Sequence, residues 1–173
     1  MLLTHAALPG MLARGRGHVV TISSITGKVA LPYDPAYAVT KHAVAAFNRS
    51  LSAEYHAAPV TFSTVFPGAI RDAGIGTFLL AGLPAPAQRL MSRTPEQVGA
   101  AVVRALRDNR VEIVVSAQPV RQSLLVHALA PGLGVRSMQT MTRWVFSRGL
   151  RRIGRDDNPS EAPHAAVDHQ VSR

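Results

Sequence analysis

The sequence contains no cysteine and is poor in several other residue types. Its 173 residues include two lysines, three tyrosines and ten acidic residues. The lack of cysteine excludes disulfide bonds and cysteine-ligated metal sites. The seven histidines show no spacing typical of metal ligands, so we expect no metal site.

Long apolar runs are also missing. No run reaches the roughly 18 residues that a membrane-spanning helix needs. The start of the chain, Met1 to His5, has no basic region and is soon followed by Pro9, so it is a poor signal peptide. A cytoplasmic protein is the default expectation. Hydrophobic residues make up 47% of the chain, which is enough for one domain with a packed core.

The charge is strongly unbalanced. The formal net charge is +9, and 17 of the 19 basic residues are arginine. Six arginines lie in a stretch without acidic residues: Arg136, Arg143, Arg148, Arg151, Arg152 and Arg155. This charge favours an acidic partner such as an anionic lipid surface. We expect no nucleic acid partner, because no recognition motif or aromatic platform is present.

The most informative stretch runs from Val19 to Lys41. An apolar run ends in two serines, which predicts a buried strand followed by a turn. Asp34 and Pro35 then predict the start of a helix, since Asp caps free amides and Pro fits the first helical position. Tyr37 and Lys41 are four residues apart and would lie on one side of this helix. Random placement would give roughly 0.03 such pairs, so the spacing is informative.

These residue types suit proton transfer. A free tyrosine has a pKa of about 10 and is a poor base at neutral pH. A lysine ammonium and the amino end of a helix both favour the phenolate, so Tyr37 could exchange a proton with a hydroxyl or carbonyl group. Ser24, at the carboxyl end of the strand, could hydrogen-bond the same oxygen. The alternative is an ordinary helix face beside a strand-end turn.

At these positions the sequence resembles the short-chain dehydrogenase/reductase family. Residues 23–27 give its Ser-Ser-x-x-Gly pattern, followed by Pro32 and then Tyr-x-x-x-Lys at 37–41. Thr40 stands where the family often has serine. The resemblance extends from about residue 2 to residue 116. It implies an α/β fold with a partial Rossmann-like, doubly wound parallel sheet that contains only the later strands.

The resemblance also implies roles for the three polar residues. Tyr37 would be the catalytic acid/base, and Lys41 would favour its ionised form and hold the nicotinamide ribose. Ser24 would orient the substrate oxygen. The implied reaction is hydride transfer between NAD or NADP and a small alcohol/ketone substrate, in which the cofactor carries the hydride.

A second segment carries the implied cofactor turn. Pro67, Gly68 and the backbone of Ile70 would line the nicotinamide, together with Tyr37 and Lys41. An ordinary strand-end turn is the alternative for this segment. The irregular stretch that follows, residues 69–93, stands where the family keeps its substrate lid. Its apolar residues suggest an apolar substrate, although a short helix packed on the core would have the same composition.

Three features of the family would precede Met1: its glycine-rich loop, the residue that selects NAD or NADP, and its catalytic asparagine. We therefore expect the sequence to be a fragment, a truncated gene or a chain with a mis-assigned start, with impaired cofactor binding. The strand at Val19 would then have one unpaired edge, which favours poor solubility or a homo-oligomer. The alternative is an inactive remnant that acts as a binding subunit.

The chain is expected to have three parts. Residues 1–118 would form the catalytic half of a Rossmann-type dehydrogenase domain. Residues 119–153 would form a basic helical extension, and residues 154–173 a disordered tail. Trp144 and its apolar neighbours lie among the arginines of the extension. Such a helix could lie on an anionic membrane surface or pack on the core with a solvated basic face.

Overall fold

The computed structural model describes residues 1–31, 35–80, 83–118, 120–137, 139–140 and 143. The strands are β1 (Gly17–Ile22), β2 (Val60–Pro67) and β3 (Glu112–Val115). The helices are α1 (Leu2–Ala13), α2 (Pro35–Glu54), α3 (Ile75–Leu80), α4 (Ala85–Met91), α5 (Pro95–Asp108) and α6 (Val120–Leu129). A short 3₁₀ turn, η1 (Ile25–Gly27), follows β1. Residues 131–137 are also helical.

Three strands within the described part form one parallel sheet in the order β1-β2-β3. The pairing aligns Ile22 with Val65, and Pro67 with Val115. Each connection between neighbouring strands contains helices, as parallel pairing requires. The carboxyl ends of all three strands therefore lie at one edge of the sheet. This arrangement confirms the predicted α/β, Rossmann-like fold.

One face of the sheet is covered by α1 and α2. Leu8 of α1 forms a buried cluster with Val60 and Phe62 of β2. Leu51 and Tyr55 of α2 pack against the same cluster, and the Tyr55 and Phe62 ring centroids are 6.0 Å apart. Alternate residues of a strand point to opposite faces of the sheet. Because Val60 and Phe62 point towards α1 and α2, the odd-numbered residues of β2 point to the opposite face.

The opposite face is covered by α5. Its small residues Ala101 and Ala105 pack against Val65, Ile113 and Val115. The start of α5 is fixed by a capping box between Thr94 and Gln97 with Pro95 at the first turn. Helices on both faces make the sheet doubly wound.

The chain after β3 returns to the carboxyl edge of the sheet. Val120 and Leu124 of α6 form a hydrophobic cluster with Ile25 of η1 and with Val29. Residues 144–173, which include the end of the predicted basic extension and the whole predicted tail, lie outside the described residues. In the described part, no helix combines the length and hydropathy that a membrane span requires.

Candidate active site

The site begins where β1 ends. The amide of Ser23 donates to the carbonyl oxygen of Val65 at 2.9 Å, which extends the pairing of β1 with β2 by one residue. Ser24 then continues in an extended conformation and caps η1. The last aligned pair of β1 and β2 is Ile22 with Val65, so Ser24 follows β1 at the edge of the sheet where β2 ends at Pro67.

Ser24 is held as a hydrogen-bond donor. Its side chain is largely buried, and its Oγ accepts a hydrogen bond from the backbone amide of Thr26 at 3.2 Å. No acceptor for its own hydroxyl proton occurs among the residues that the structure describes. The Oγ is therefore fixed in place while its proton can be donated to a ligand oxygen.

Ser23 has a different, structural role that the sequence did not indicate. Its Oγ donates to the backbone carbonyl oxygen of Lys41 at 2.8 Å. This hydrogen bond joins the carboxyl end of β1 directly to α2 at Lys41, the predicted catalytic lysine.

Gly27 allows this close approach of η1 to α2. A Cβ atom at this position would lie 2.3 Å from Ser23 Oγ and 2.7 Å from the carbonyl oxygen of Lys41. Such distances are far inside van der Waals contact, so the glycine of the Ser-Ser-x-x-Gly pattern is required by packing.

Tyr37 and Lys41 lie on one side of α2, as their spacing predicts. Lys41 Nζ is 5.4 Å from the centroid of the Tyr37 ring, within the range of a cation–π interaction. Both side chains are half-buried. The described residues provide no acidic ion-pair partner for Lys41. The predicted start of α2 at Pro35 is confirmed, whereas Asp34, the predicted cap, and Pro32 lie outside the described residues.

Thr40, the departure from the family pattern, bonds its own helix. Its Oγ1 donates to the carbonyl oxygen of Tyr37 at 2.8 Å, and the side chain is exposed. A hydroxyl at this position therefore supports the first turns of α2 and does not compete with Tyr37 or Lys41.

The Pro67–Gly68 turn lies at the same edge of the sheet as Ser24. The Gly68 amide donates to the carbonyl oxygen of Val115 at 2.9 Å, so it is used within the sheet. A Cβ at Gly68 would lie 2.5 Å from Ser116 Oγ. The turn thus sits tightly between the ends of β2 and β3.

Ile70 lies between two other segments. It forms an isolated parallel bridge with Arg93, in which the Arg93 amide donates to Ala69 at 3.0 Å. A Cβ at Gly76 would lie 2.1 Å from the carbonyl oxygen of Ile70 and 2.6 Å from its nitrogen. The amino end of α3 therefore covers the Ile70 backbone on one side.

A buried polar network behind the site was not foreseen. Asn48 of α2 is 2% exposed, accepts from Thr21 Oγ1 at 3.1 Å and donates to Thr64 Oγ1 at 2.8 Å. It links α2 to both β1 and β2 through side chains. The signal in the sequence was a lone polar residue on an apolar helical stripe, four residues after Val44 and three before Leu51.

An ion cluster forms a second tie between α2 and the sheet. Glu112 of β3 pairs with Lys28 at 2.5 Å and with Arg49 of α2 at 2.6 Å. Burial alone would raise the pKa of the Glu112 carboxyl. The hydrogen bonds and positive charges of Lys28 and Arg49 outweigh burial and hold this pKa below its ordinary value.

The first strand carries a histidine that is integrated into the fold. His18 Nε2 lies 2.7 Å from Ser63 Oγ, which donates to the carbonyl oxygen of Arg110 at 2.6 Å. Ser63 therefore accepts from His18, while His18 Nδ1 lies 3.0 Å from Thr61 Oγ1. Burial lowers the pKa of His18. In the described part, no three His, Asp or Glu side chains are placed to hold a metal ion.

The chemistry at the carboxyl edge fits the nicotinamide end of a dinucleotide. Lys41 provides an ammonium without an acidic partner in the described part, which suits ribose hydroxyls. Ser24 provides a fixed hydroxyl whose proton can be donated. These groups and the Pro67–Gly68 turn lie at the edge where open α/β sheets bind ligands.

Comparisons with known proteins agree with this fold and its motifs. A family model described as short chain dehydrogenase matches residues 1–79. Dehydrogenase/reductase SDR family member 7B of Bos taurus is 34% identical over 149 residues, which are 82% of this chain and 45% of that protein. Ketoacyl reductase HetN of Nostoc is 30% identical over 145 residues, 83% of this chain and 50% of that protein. The chain thus spans about half the length of these relatives.

A solved structure has the same fold. A short chain dehydrogenase from Burkholderia cenocepacia, crystallised in complex with NADP, superposes with a TM-score of 0.62. The match covers 78% of this chain and 52% of that one, at 23% sequence identity. With its parallel sheet, its Ser-Ser-x-x-Gly turn and its Tyr-x-x-x-Lys helix, the chain belongs to the short-chain dehydrogenase/reductase family.

Proposed function

We propose that this chain provides the catalytic half of an NAD(P)-dependent oxidoreductase that transfers a hydride between a nicotinamide and an alcohol/ketone substrate. The observation that carries the proposal is the fixed position of α2 beside the end of β1. Ser23 and Gly27 hold the backbone of Lys41 against the turn that contains Ser24. Tyr37 lies on the same side of α2 as Lys41.

Each of the three polar residues has one role in this proposal. Tyr37 exchanges a proton with the substrate oxygen, as a positioned acid or base. Lys41 places an ammonium group 5.4 Å from the centroid of the Tyr37 ring, beside the proposed site of proton transfer. Ser24 donates its hydroxyl proton to the same substrate oxygen and orients it. A bound nicotinamide supplies or accepts the hydride.

The cofactor would be held by Tyr37, Lys41, Pro67, Gly68 and Ile70. Lys41 offers ammonium donors to the ribose, and the Pro67–Gly68 turn provides a backbone surface at the same edge. Because the Gly68 amide already bonds Val115, this turn acts through its shape and its carbonyl groups. The cofactor would be NAD or NADP.

The substrate would be a small alcohol or ketone. Leu80 and Leu83 of the expected lid are 5% and 1% exposed, so they pack in the interior. This burial favours the interpretation of these residues as core and gives no support to an apolar substrate surface at those two positions. We also propose that the chain is cytoplasmic and that it forms a homo-oligomer. Within the described residues β1 has a strand neighbour on one side only, and an unpaired strand edge favours association with another chain.

Cofactor binding by the purified chain tests the proposal. NADH and NADPH are titrated separately while nicotinamide fluorescence is followed. Saturable binding is expected, and Lys41→Ala should weaken it by about tenfold. Arg89→Ala removes an exposed positive charge on α4 and serves as the control. Absence of binding at millimolar cofactor would refute a functional nicotinamide site in this chain.

A second candidate is a subunit that contacts an anionic membrane surface. Three leucines near the carboxyl end of the described chain, Leu125, Leu129 and Leu133, are strongly exposed. No acidic residue occurs between residues 113 and 155. Exposed apolar side chains beside basic ones favour anionic bilayers.

Co-sedimentation with anionic and neutral vesicles separates this candidate from the enzyme. Selective binding to anionic vesicles is expected, and Leu125→Gln with Leu129→Gln should reduce it. Leu90→Gln changes an equally exposed leucine on α4 and is the control. Equal binding by all variants would contradict the role of α6.

A further inference from the structure

A polar groove lies on the face of the sheet that α5 covers, away from Tyr37 and Lys41. Its volume is about 350 Å³, near the lower end of the range for small-molecule sites. It is bordered by α5, the end of β3 and the start of α6, and three arginines line it: Arg93, Arg104 and Arg121.

The three arginines concentrate positive charge without acidic partners. None of them takes part in an ion pair in the described part of the chain. Among the described residues, the side chain of Arg93 donates only to the carbonyl oxygen of its neighbour Ser92, at 2.9 Å. The charge of Arg104 reaches Asp108, but the Asp108 carboxylate is bonded to Arg107 at 2.7 Å. The groove therefore presents three guanidinium groups that no internal anion neutralises.

Ser116 adds a hydroxyl to the same groove. It lines the groove and is 9% exposed. Its oxygen is not one of the fully buried, unpaired polar atoms of the described part. The hydroxyl is therefore open to the groove and can donate to a ligand oxygen.

From these observations we infer that the groove binds a small organic phosphate. Arginine is the side chain best suited to phosphate, because its planar fork donates two parallel hydrogen bonds. Ser116 adds a neutral donor. The remaining surface includes the apolar residues Ala101 and Val114, which favour a phosphate that carries a small organic group over a bare ion.

The groove also adjoins the proposed cofactor turn. Ser116 contacts Gly68, and the backbone of Arg93 bonds Ala69 and Arg71. A phosphate bound by Ser116 and Arg93 would thus contact two segments that adjoin the Pro67–Gly68 turn. Binding there is independent of the proposed hydride transfer, because it involves neither Tyr37 nor Lys41.

Calorimetric titration of the full chain with phenyl phosphate, at low and at physiological salt, tests the inference. Saturable binding is expected at low salt, with weaker binding as salt rises. Arg104→Gln and Arg121→Gln should each weaken binding by about tenfold or more, and Ser116→Ala by about three- to tenfold. Both arginines are exposed, and circular dichroism spectra verify the fold.

Two controls make the result specific. Arg89→Gln removes the same charge outside the groove and should leave the affinity unchanged. Benzyl alcohol has a comparable ring without the phosphate and should not bind. The inference is overturned if phenyl phosphate shows no saturable binding, if Arg89→Gln weakens binding as much as Arg104→Gln, or if benzyl alcohol binds equally well.

Discussion

The side-chain hydroxyl of Ser23 donates a 2.8 Å hydrogen bond to the backbone carbonyl oxygen of Lys41. The end of β1 therefore fixes the position of the Lys41 backbone. Gly27 allows this contact because it has no side chain. Two residues that take no part in the proposed chemistry thus determine where Lys41 and Tyr37 lie.

The first prediction concerns this contact. Gly27→Ala would place a methyl group against Ser23 and the backbone of Lys41, so we expect the free energy of unfolding to fall by about 1–3 kcal/mol. Urea unfolding measures the change. Gly99→Ala is the matched control: Gly99 lies in α5 with open space around it, and there alanine should stabilise the helix by about 0.5–1 kcal/mol. Equal stabilities of the two variants would contradict the packing role of Gly27.

The second prediction tests the acid/base role of Tyr37. Tyr37→Phe removes only the hydroxyl, so kcat should fall by about 10²–10⁴-fold while binding of the reduced cofactor is largely kept. Tyr55→Phe is the matched change, because Tyr55 packs on Phe62 by its ring. Steady-state kinetics and fluorescence titration give the two values. Unchanged kcat in Tyr37→Phe would rule out the proposed proton transfer.

The third prediction concerns the buried amide of Asn48. Asn48→Leu leaves the Thr64 hydroxyl without its donor in a site that is 1% exposed, which should cost about 1–3 kcal/mol. Thr64→Val alone should also destabilise the fold. The double variant should lose less than the sum of the two, with a coupling of about 1 kcal/mol in a double-mutant cycle. Strict additivity would show that the two side chains do not interact.

The fourth prediction concerns pH. The folded state holds the pKa of Glu112 below its ordinary value of 4.5. The stability contributed by its ionised form is therefore complete above pH 4.5 and is lost as the pH falls through the folded pKa. The difference in Tm between the native chain and Glu112→Gln should be largest above pH 4.5 and should shrink towards pH 3. Glu54→Gln, at an exposed carboxylate, should follow the native profile; a constant difference for Glu112→Gln would refute the prediction.

The sequence predicted those parts of the fold that rest on local signals. Pro35 marked the start of α2 because proline acts within the first helical turn. The apolar run at β1 marked a strand, but the expectation that this strand is buried was wrong: every residue of β1 is at least partly exposed, because β1 has only one strand neighbour in the described part. The parallel order of the sheet followed from the resemblance, and the pairing of Ile22 with Val65 agrees with it.

Contacts between distant segments could not be predicted in this way. Nothing near Ser23 in the sequence indicates that its hydroxyl bonds Lys41 instead of a ligand, and Ser24 has the same local surroundings. The two serines differ because their side chains meet different segments of the fold: Ser23 meets α2, and Ser24 meets η1. The burial of Asn48 likewise depends on two threonines in separate strands. Roles assigned to Ser24, Tyr37 and Lys41 stay predictions until variants are measured.

The packing of α6 on η1 has a practical consequence. Val120 and Leu124 cover Ile25 and Val29, which flank the turn that begins at Ser24. Truncation after β3 would uncover these two residues and disturb the turn, so an inactive truncated chain would say nothing about a membrane or partner role of α6. Point substitutions of exposed residues of α6 keep the contacts of Val120 and Leu124 intact. They therefore test a membrane or partner role of α6 without disturbing the turn.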